Sequence, residues 1–230
     1  MARAGLEIRG PASAPLDEPL ALSARGAGEA AGALVWRARL HDDDGRVWRA
    51  SADRSEALDE RWSPAKASTG AVAALGSLRP VAVDARVEAG DGRAAARSLT
   101  RRIVDEGVRM RRWRAPVAAT LCLPRAGEEP CATVLLDATA GGDEAGAAAV
   151  AGALLAGRGA LVLVVPAARG DGAGLLAAAR EAIGAVPGAG DPVVIAALVP
   201  PGVPAAGDAA ARAAAWDALL ARLGARARGT

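Results

Sequence analysis

The chain has 230 residues, room for one large or two small domains, and 52% of them are apolar, so composition permits a substantial core. A formal net charge of +2 argues against a strongly electrostatic role such as coating nucleic acid. Met1 to Gly10 has no apolar signal-peptide core, and runs such as Ala160 to Pro166 are too short to span a bilayer, so the expectation is a soluble, cytoplasmic protein with no membrane partner.

The first part reads as short strands separated by turn signals. Pro19–Arg25, Ala33–His41 and Arg46–Asp53 alternate apolar and polar residues. The last two flank His41-Asp42-Asp43-Asp44-Gly45, a hairpin signal because glycine accepts the positive φ that the turn requires. Trp36 and Trp48 share a face of that hairpin. Glu56–Gly76 reads as loop, Val81–Glu88 as a strand closed by Gly90-Asp91-Gly92, and Arg97–Val104 as one more strand. This spacing predicts a β-sandwich, taken as residues 1–105.

The second part, 106–230, changes character. Val108–Arg114 and Val117–Leu123 pattern as paired strands. Thr133–Asp137, Ala160–Val165 and Val193–Val199 are apolar strands without alternation. Helices are predicted over Asp143–Ala156, Ala173–Val186 and Asp208–Leu223. Buried strands separated by helices predict a mainly parallel sheet covered on both faces.

The composition is unusual. Phe, Tyr, Asn and Gln are absent, the only aromatic residues are five Trp, and Lys66 is the one lysine, a pattern that fits a GC-rich gene. A core of Ala, Val and Leu buries little area per residue, which implies modest stability. The two cysteines, Cys122 and Cys131, do not make a disulfide framework.

Several segments stand in a telling order. In the first part they are Pro15-Leu-Asp-Glu-Pro-Leu20, Trp36-Arg-Ala-Arg-Leu40 and Asp43-Asp-Gly-Arg-Val-Trp-Arg49. In the second they are Glu106-Gly-Val-Arg109 with Trp113-Arg114, Ala119-Thr-Leu-Cys-Leu-Pro124, Thr133-Val-Leu-Leu136 with Gly141-Gly142, Leu154-Leu-Ala-Gly-Arg-Gly159, and Gly202-Val-Pro-Ala-Ala206 through Ala215-Trp216-Asp217. In this order they resemble the acyl-CoA thioester hydrolase / bile acid-CoA:amino acid N-acyltransferase family. The resemblance implies an immunoglobulin-like β-sandwich followed by a truncated α/β-hydrolase-like domain, with an acyl-CoA or acyl ligand. The chain is much shorter than full-length members. Pro192 onward is either the strand before the nucleophile turn, with Leu198-Val-Pro-Pro-Gly202 at the turn, or it runs straight into the last helix across a large deletion.

The chemistry of that family requires a nucleophile on a strand-to-helix turn, a histidine base and an acid to orient it. No serine follows Ser98, no G-x-S-x-G or G-x-C-x-G occurs, and the single histidine, His41, lies in the first part. If Pro200 occupies the nucleophile's place, it brings neither a hydroxyl nor an amide hydrogen. The cysteines have no histidine nearby to activate them. No catalytic residue is therefore assigned. Gly141 and Gly142, in the loop after the first core strand, could offer backbone amides to an oxyanion, as the resemblance implies; acidic Asp143 and Glu144 oppose this.

No metal or cofactor is expected. Asp42-Asp43-Asp44 lacks calcium-loop spacing, no Cys/His cluster suits zinc, and Gly170-Asp-Gly-Ala-Gly174 lacks the full dinucleotide fingerprint. The basic run Arg97, Arg101, Arg102, Arg109, Arg111, Arg112 and Arg114 could meet phosphate but reads better as a solvated face.

The reading is a degenerate family member without triad catalysis that binds an acyl ligand or a protein partner. The alternatives are a residual thioester hydrolase and a β-sandwich interaction module. A sheet with too few strands would leave an open edge, and a homodimer would cover it.

Overall fold

The computed structural model describes residues 5–27, 32–42, 47–58, 61–64, 78–114, 117–139, 143–166, 172–205 and 208–224. They form thirteen strands and three α-helices in three sheets, parallel and antiparallel pairings mixed. Two compact units result. One gathers the described parts of Met1–Val72, Arg79–Arg102 and Pro201–Ala209; the other gathers those of Ala73–Leu78, Ile103–Pro200 and Ala210–Thr230.

The first unit holds β1 (Glu7–Arg9), β2 (Ser13–Pro15), β3 (Ser23–Arg25), β4 (Leu34–His41), β5 (Val47–Ala52), β6 (Ser63–Pro64), β7 (Val81–Ala89) and β8 (Ala94–Arg102). Six strands make one sheet in the order β2-β8-β7-β4-β5-β6, and β1 and β3 pair as a separate antiparallel ribbon. The alternation visible in the sequence is the alternation of burial. Trp36, Ala38 and Leu40 of β4, and Val81, Val83, Ala85 and Val87 of β7, point to the core, while the residues between them face outward. Ile8 of the ribbon is buried, and Arg97, which shares a face of β8 with buried Leu99, donates to the Ile8 carbonyl at 3.3 Å. The ribbon therefore covers the core face of the sheet, and the opposite face carries the charges.

The second unit holds β9 (Arg109–Trp113), β10 (Ala119–Leu123), β11 (Ala132–Asp137), α1 (Asp143–Gly157), β12 (Ala160–Val165), α2 (Gly172–Gly184), β13 (Val193–Ala196) and α3 (Ala209–Arg222). Its sheet runs β13-β11-β12-β10-β9. The sheet is mixed rather than mainly parallel: β13–β11 and β11–β12 are parallel, β12–β10 and β10–β9 antiparallel. The reason is the β9–β10 hairpin, which enters the sheet head-to-tail before any crossover helix has formed.

All six residues of β12 are buried, as a central strand covered on both faces requires. Leu161 and Leu163 point to one face, where they cluster with Leu121, Leu135, Ala179 and Ile183, so α2 lies there. Val162 and Val164 point to the other, against Gly152 of α1. No helix among the described residues is long and apolar enough to cross a membrane.

Candidate functional site

The parallel strands β11, β12 and β13 all end on one side of their sheet. β11 leads to α1 on one face and β12 leads to α2 on the other. Neighbouring strands whose connections leave in opposite directions open a crevice at their carboxyl ends, the usual ligand position in such sheets. Asp137 is the last residue of β11, in register with Val165 and Ala196. Its Oδ1 accepts hydrogen bonds from the Thr139 amide at 2.8 Å and the Thr139 hydroxyl at 2.6 Å. This is a side-chain turn of the kind aspartate favours, and it fixes the start of the β11–α1 connection. Thr139 is bounded by the first residue of α2, since a Cβ on Gly172 would lie 3.2 Å from its Oγ1.

One carboxylate and one hydroxyl thus stand at the crevice, engaged with each other. Gly141 and Gly142, expected to offer oxyanion donors, lie outside the described residues, as does Gly170-Asp171. After β13 the chain continues through buried Pro200, and Gly202 turns it with φ +76°. The next helix, α3, begins only at Ala209, so no helix follows β13 directly.

Both thiols are free. Cys122, on β10 beside Gly152, is completely buried, and desolvation pushes its thiol up to about 12. It stays protonated at neutral pH and is no nucleophile. Cys131 is half-buried before β11, its thiol 3.7 Å from the Arg158 carbonyl.

His41 lies at the end of β4 in the first unit. Its Nε2 is 3.2 Å from Asp84 Oδ2, without the alignment of a hydrogen bond, and the Ser98 hydroxyl donates to Asp84 Oδ1 at 2.6 Å. Ser, Asp and His are therefore assembled, but in the wrong order. A triad places the imidazole between hydroxyl and carboxylate so that it can take the proton. Here the carboxylate lies between the other two, on an open sheet face. This group escapes sequence reading because its members come from β4, β7 and β8, and only the register brings them together.

The basic run divides between different roles. Arg109, Arg111, Arg112 and Arg114 are exposed at the β9 edge. Arg101 is wholly buried, and it donates to the carbonyls of Pro15 at 3.1 Å, Leu16 at 2.7 Å and Glu18, so it is a structural residue rather than part of a solvated face. Asp42 is buried, and Asp43 and Asp44 lie outside the described residues. Among the described residues no three His, Cys, Asp or Glu side chains gather as metal ligands.

The outward face of the six-stranded sheet forms a concavity of about 730 Å³ containing Arg37, Arg39, Arg49, Arg61 and Arg86 with Asp84 and Glu88. Glu88 is shared: Oε2 pairs with Arg37 at 2.5 Å and Oε1 with Arg86 at 2.9 Å. No protein-family model matches the chain, and no curated protein matches it.

Proposed function

We propose that the chain is a degenerate member of the acyl-CoA thioesterase/acyltransferase family: an immunoglobulin-like β-sandwich followed by a truncated α/β-hydrolase domain that binds an acyl-CoA or acyl ligand without triad catalysis. The observation that carries this reading is the strand order of the second unit. Numbered within that unit, the strands run 1-2-4-3-5 with the second antiparallel to its neighbours, the order in which an α/β-hydrolase sheet begins. In that scheme the connection from the third strand to the first helix supplies an oxyanion donor, and here it is the β11–α1 connection, which starts at the Asp137–Thr139 turn. The ribbon over the core face of the first unit takes the part of the sandwich's second layer. What is missing is the proton chemistry. The sole imidazole of the chain belongs to the first unit beside Asp84, Pro200 stands at the nucleophile's place if Leu198–Gly202 is the nucleophile turn, and burial holds the Cys122 thiol protonated at neutral pH.

The test is a pair of measurements on the purified full chain with octanoyl-CoA and palmitoyl-CoA. Chromatography should find no release of free coenzyme A above the buffer rate, while tryptophan fluorescence should change saturably with at least one of the two. Release that scales linearly with protein concentration would overturn the loss of catalysis. Absence of any saturable change with both would overturn ligand binding.

A further inference from the structure

The sheet of the second unit ends in β9 on one side and β13 on the other. The two edges differ in chemistry. β9 carries exposed Arg109, Arg111 and Arg112, and charged side chains keep a sheet edge from pairing with another chain. β13 reads Val193-Val-Ile-Ala196, with no charge at all. At its middle Val194 is 42% exposed, the most exposed large hydrophobic residue among those described.

Register fixes which main-chain groups of β13 are open. The strand runs parallel to β11, and the Ala197 amide donates to the Asp137 carbonyl at 2.6 Å. Alternate residues of a strand turn toward the same neighbour, so Val193, Ile195 and Ala197 face β11, while Pro192, Val194 and Ala196 turn their main chain outward. Pro192 has no amide hydrogen, and Arg180 of α2 donates to its carbonyl at 3.4 Å. Val194 and Ala196 remain, both exposed, each offering an amide and a carbonyl to the open side. Among the described residues no strand lies there. The open groups are placed symmetrically about Ile195.

We infer that this edge docks a second copy of the chain, joining the two sheets across β13. The symmetry selects the occupant. With a two-fold axis through Ile195, Val194 exchanges both its hydrogen bonds with Ala196 of the partner subunit, and Ala196 does the same with Val194 of the partner subunit. Every open donor then meets an acceptor and none is left over. Opposed side chains of an antiparallel pair lie on the same face, so Val194 gains an apolar neighbour and no like charges meet. A foreign strand would satisfy the main chain too, but a copy also matches the length of the open segment and its lack of charge. The surface lies wholly within the second unit and does not depend on the acyl-ligand reading.

Sedimentation equilibrium of the full chain tests the inference. The paired segment is short and makes an interface below the standard size, so a monomer–dimer equilibrium with a dissociation constant on the order of 100 μM is expected. Ala196→Pro removes an outward amide and spares the ladder to β11. Val194→Lys sets two like charges diagonally across the axis, and it keeps the test readable if the proline variant folds poorly. Each should weaken dimerisation by about tenfold or more. Val35→Lys alters the other exposed large hydrophobic residue, on β4, which has a strand on each side, and should leave dimerisation unchanged. The amides of Val194 and Ala196 should exchange hydrogen more slowly as concentration rises, and that of Ile195 should not. A chain that stays monomeric would overturn the inference and leave the edge to a foreign strand. Assembly beyond a dimer, or equal weakening by Val35→Lys, would overturn it as well, because self-pairing uses up the β13 edge and nothing else.

Discussion

Gly202 approaches the carbonyl oxygen of Leu16 so closely that a side chain at position 202 would overlap it, and φ at Gly202 is +76°. The same glycine lies beside the buried guanidinium of Arg101, whose Nη2 would be 3.2 Å from an added Cβ. Backbone conformation and space both demand glycine here. Gly202→Ala is expected to lower stability by about 2–4 kcal/mol, combining overlap with the penalty for positive φ. Gly92, at φ +83° with open space around its missing Cβ, separates the two effects. Gly92→Ala should lose only about 1 kcal/mol, and urea denaturation of the two variants measures the difference.

Arg101 ties three carbonyls together from one side chain. Lysine carries the same charge on a single point and cannot span Pro15, Leu16 and Glu18 as the guanidinium fork does. Arg101→Lys should therefore destabilise by about 2–4 kcal/mol, because buried carbonyls lose their donors and a buried charge loses its partners. If equilibrium unfolding of Arg101→Lys matched the parent chain, the structural role of this residue would be refuted.

Arg101 also marks where reading the sequence runs out. Arg97–Arg102 holds one apolar residue, Leu99, among five polar or charged ones, and nothing in it separates a solvated arginine from one that holds a loop. Ala33–His41 and Val81–Glu88 were legible because nine and eight alternating residues match the period of a strand and of little else. Ala160–Val165 was legible because six apolar residues between Gly159 and Pro166 are too few for a helix. β1, β2 and β6 span three, three and two residues, too short for a period of two to register. The insertion of β12 between β10 and β11 was not legible either, since apolar strands look alike whichever neighbour they pair with. The site suffers most from this. The shortage of triad side chains can be counted in the sequence, but the Ser98–Asp84–His41 group exists only through cross-strand register.

The alkaline limb of stability should report Cys122. Its thiol is raised by burial from near 9 to about 12, so the unfolded chain releases this proton first as pH rises. The contribution is fully present below pH 9 and is lost progressively as pH rises towards 12, at up to about 1.4 kcal/mol per pH unit. The chain is suited to the measurement, having no tyrosine and a single lysine. Urea unfolding of the parent and Cys122→Ala should give stabilities that keep a constant offset below pH 9 and converge above it. Parallel curves from pH 8 to 11 would mean that the thiol is not desolvated.

Alkylation separates the two cysteines by the same physics. Cys131 is half-buried and Cys122 fully so. Iodoacetamide at pH 8 should label Cys131 alone in the folded chain, and both residues in urea. Mass spectrometry of the peptides reads the outcome directly, and rapid labelling of Cys122 in the native state would contradict its burial.

Gly152 sets helix propensity against packing. It lies in the middle of α1, where alanine would favour the helix by about 1 kcal/mol. A Cβ there would be 2.5 Å from Val164 Cγ2 and 3.3 Å from Cys122 Sγ, in a helix buried on nearly every side. Val164 is β-branched, so its methyl cannot swing away without leaving its preferred rotamer. Overpacking of this kind costs about 1–3 kcal/mol, which exceeds the propensity gain. Gly152→Ala should therefore be net destabilising by about 1 kcal/mol, against the direction that propensity alone gives. Adding Val164→Ala should recover part of the loss, leaving a double variant more stable than the two single effects sum to. Thermal and urea unfolding of the four chains in this cycle would decide between the two, and a stabilising Gly152→Ala would mean that α1 stands further from β12 than described.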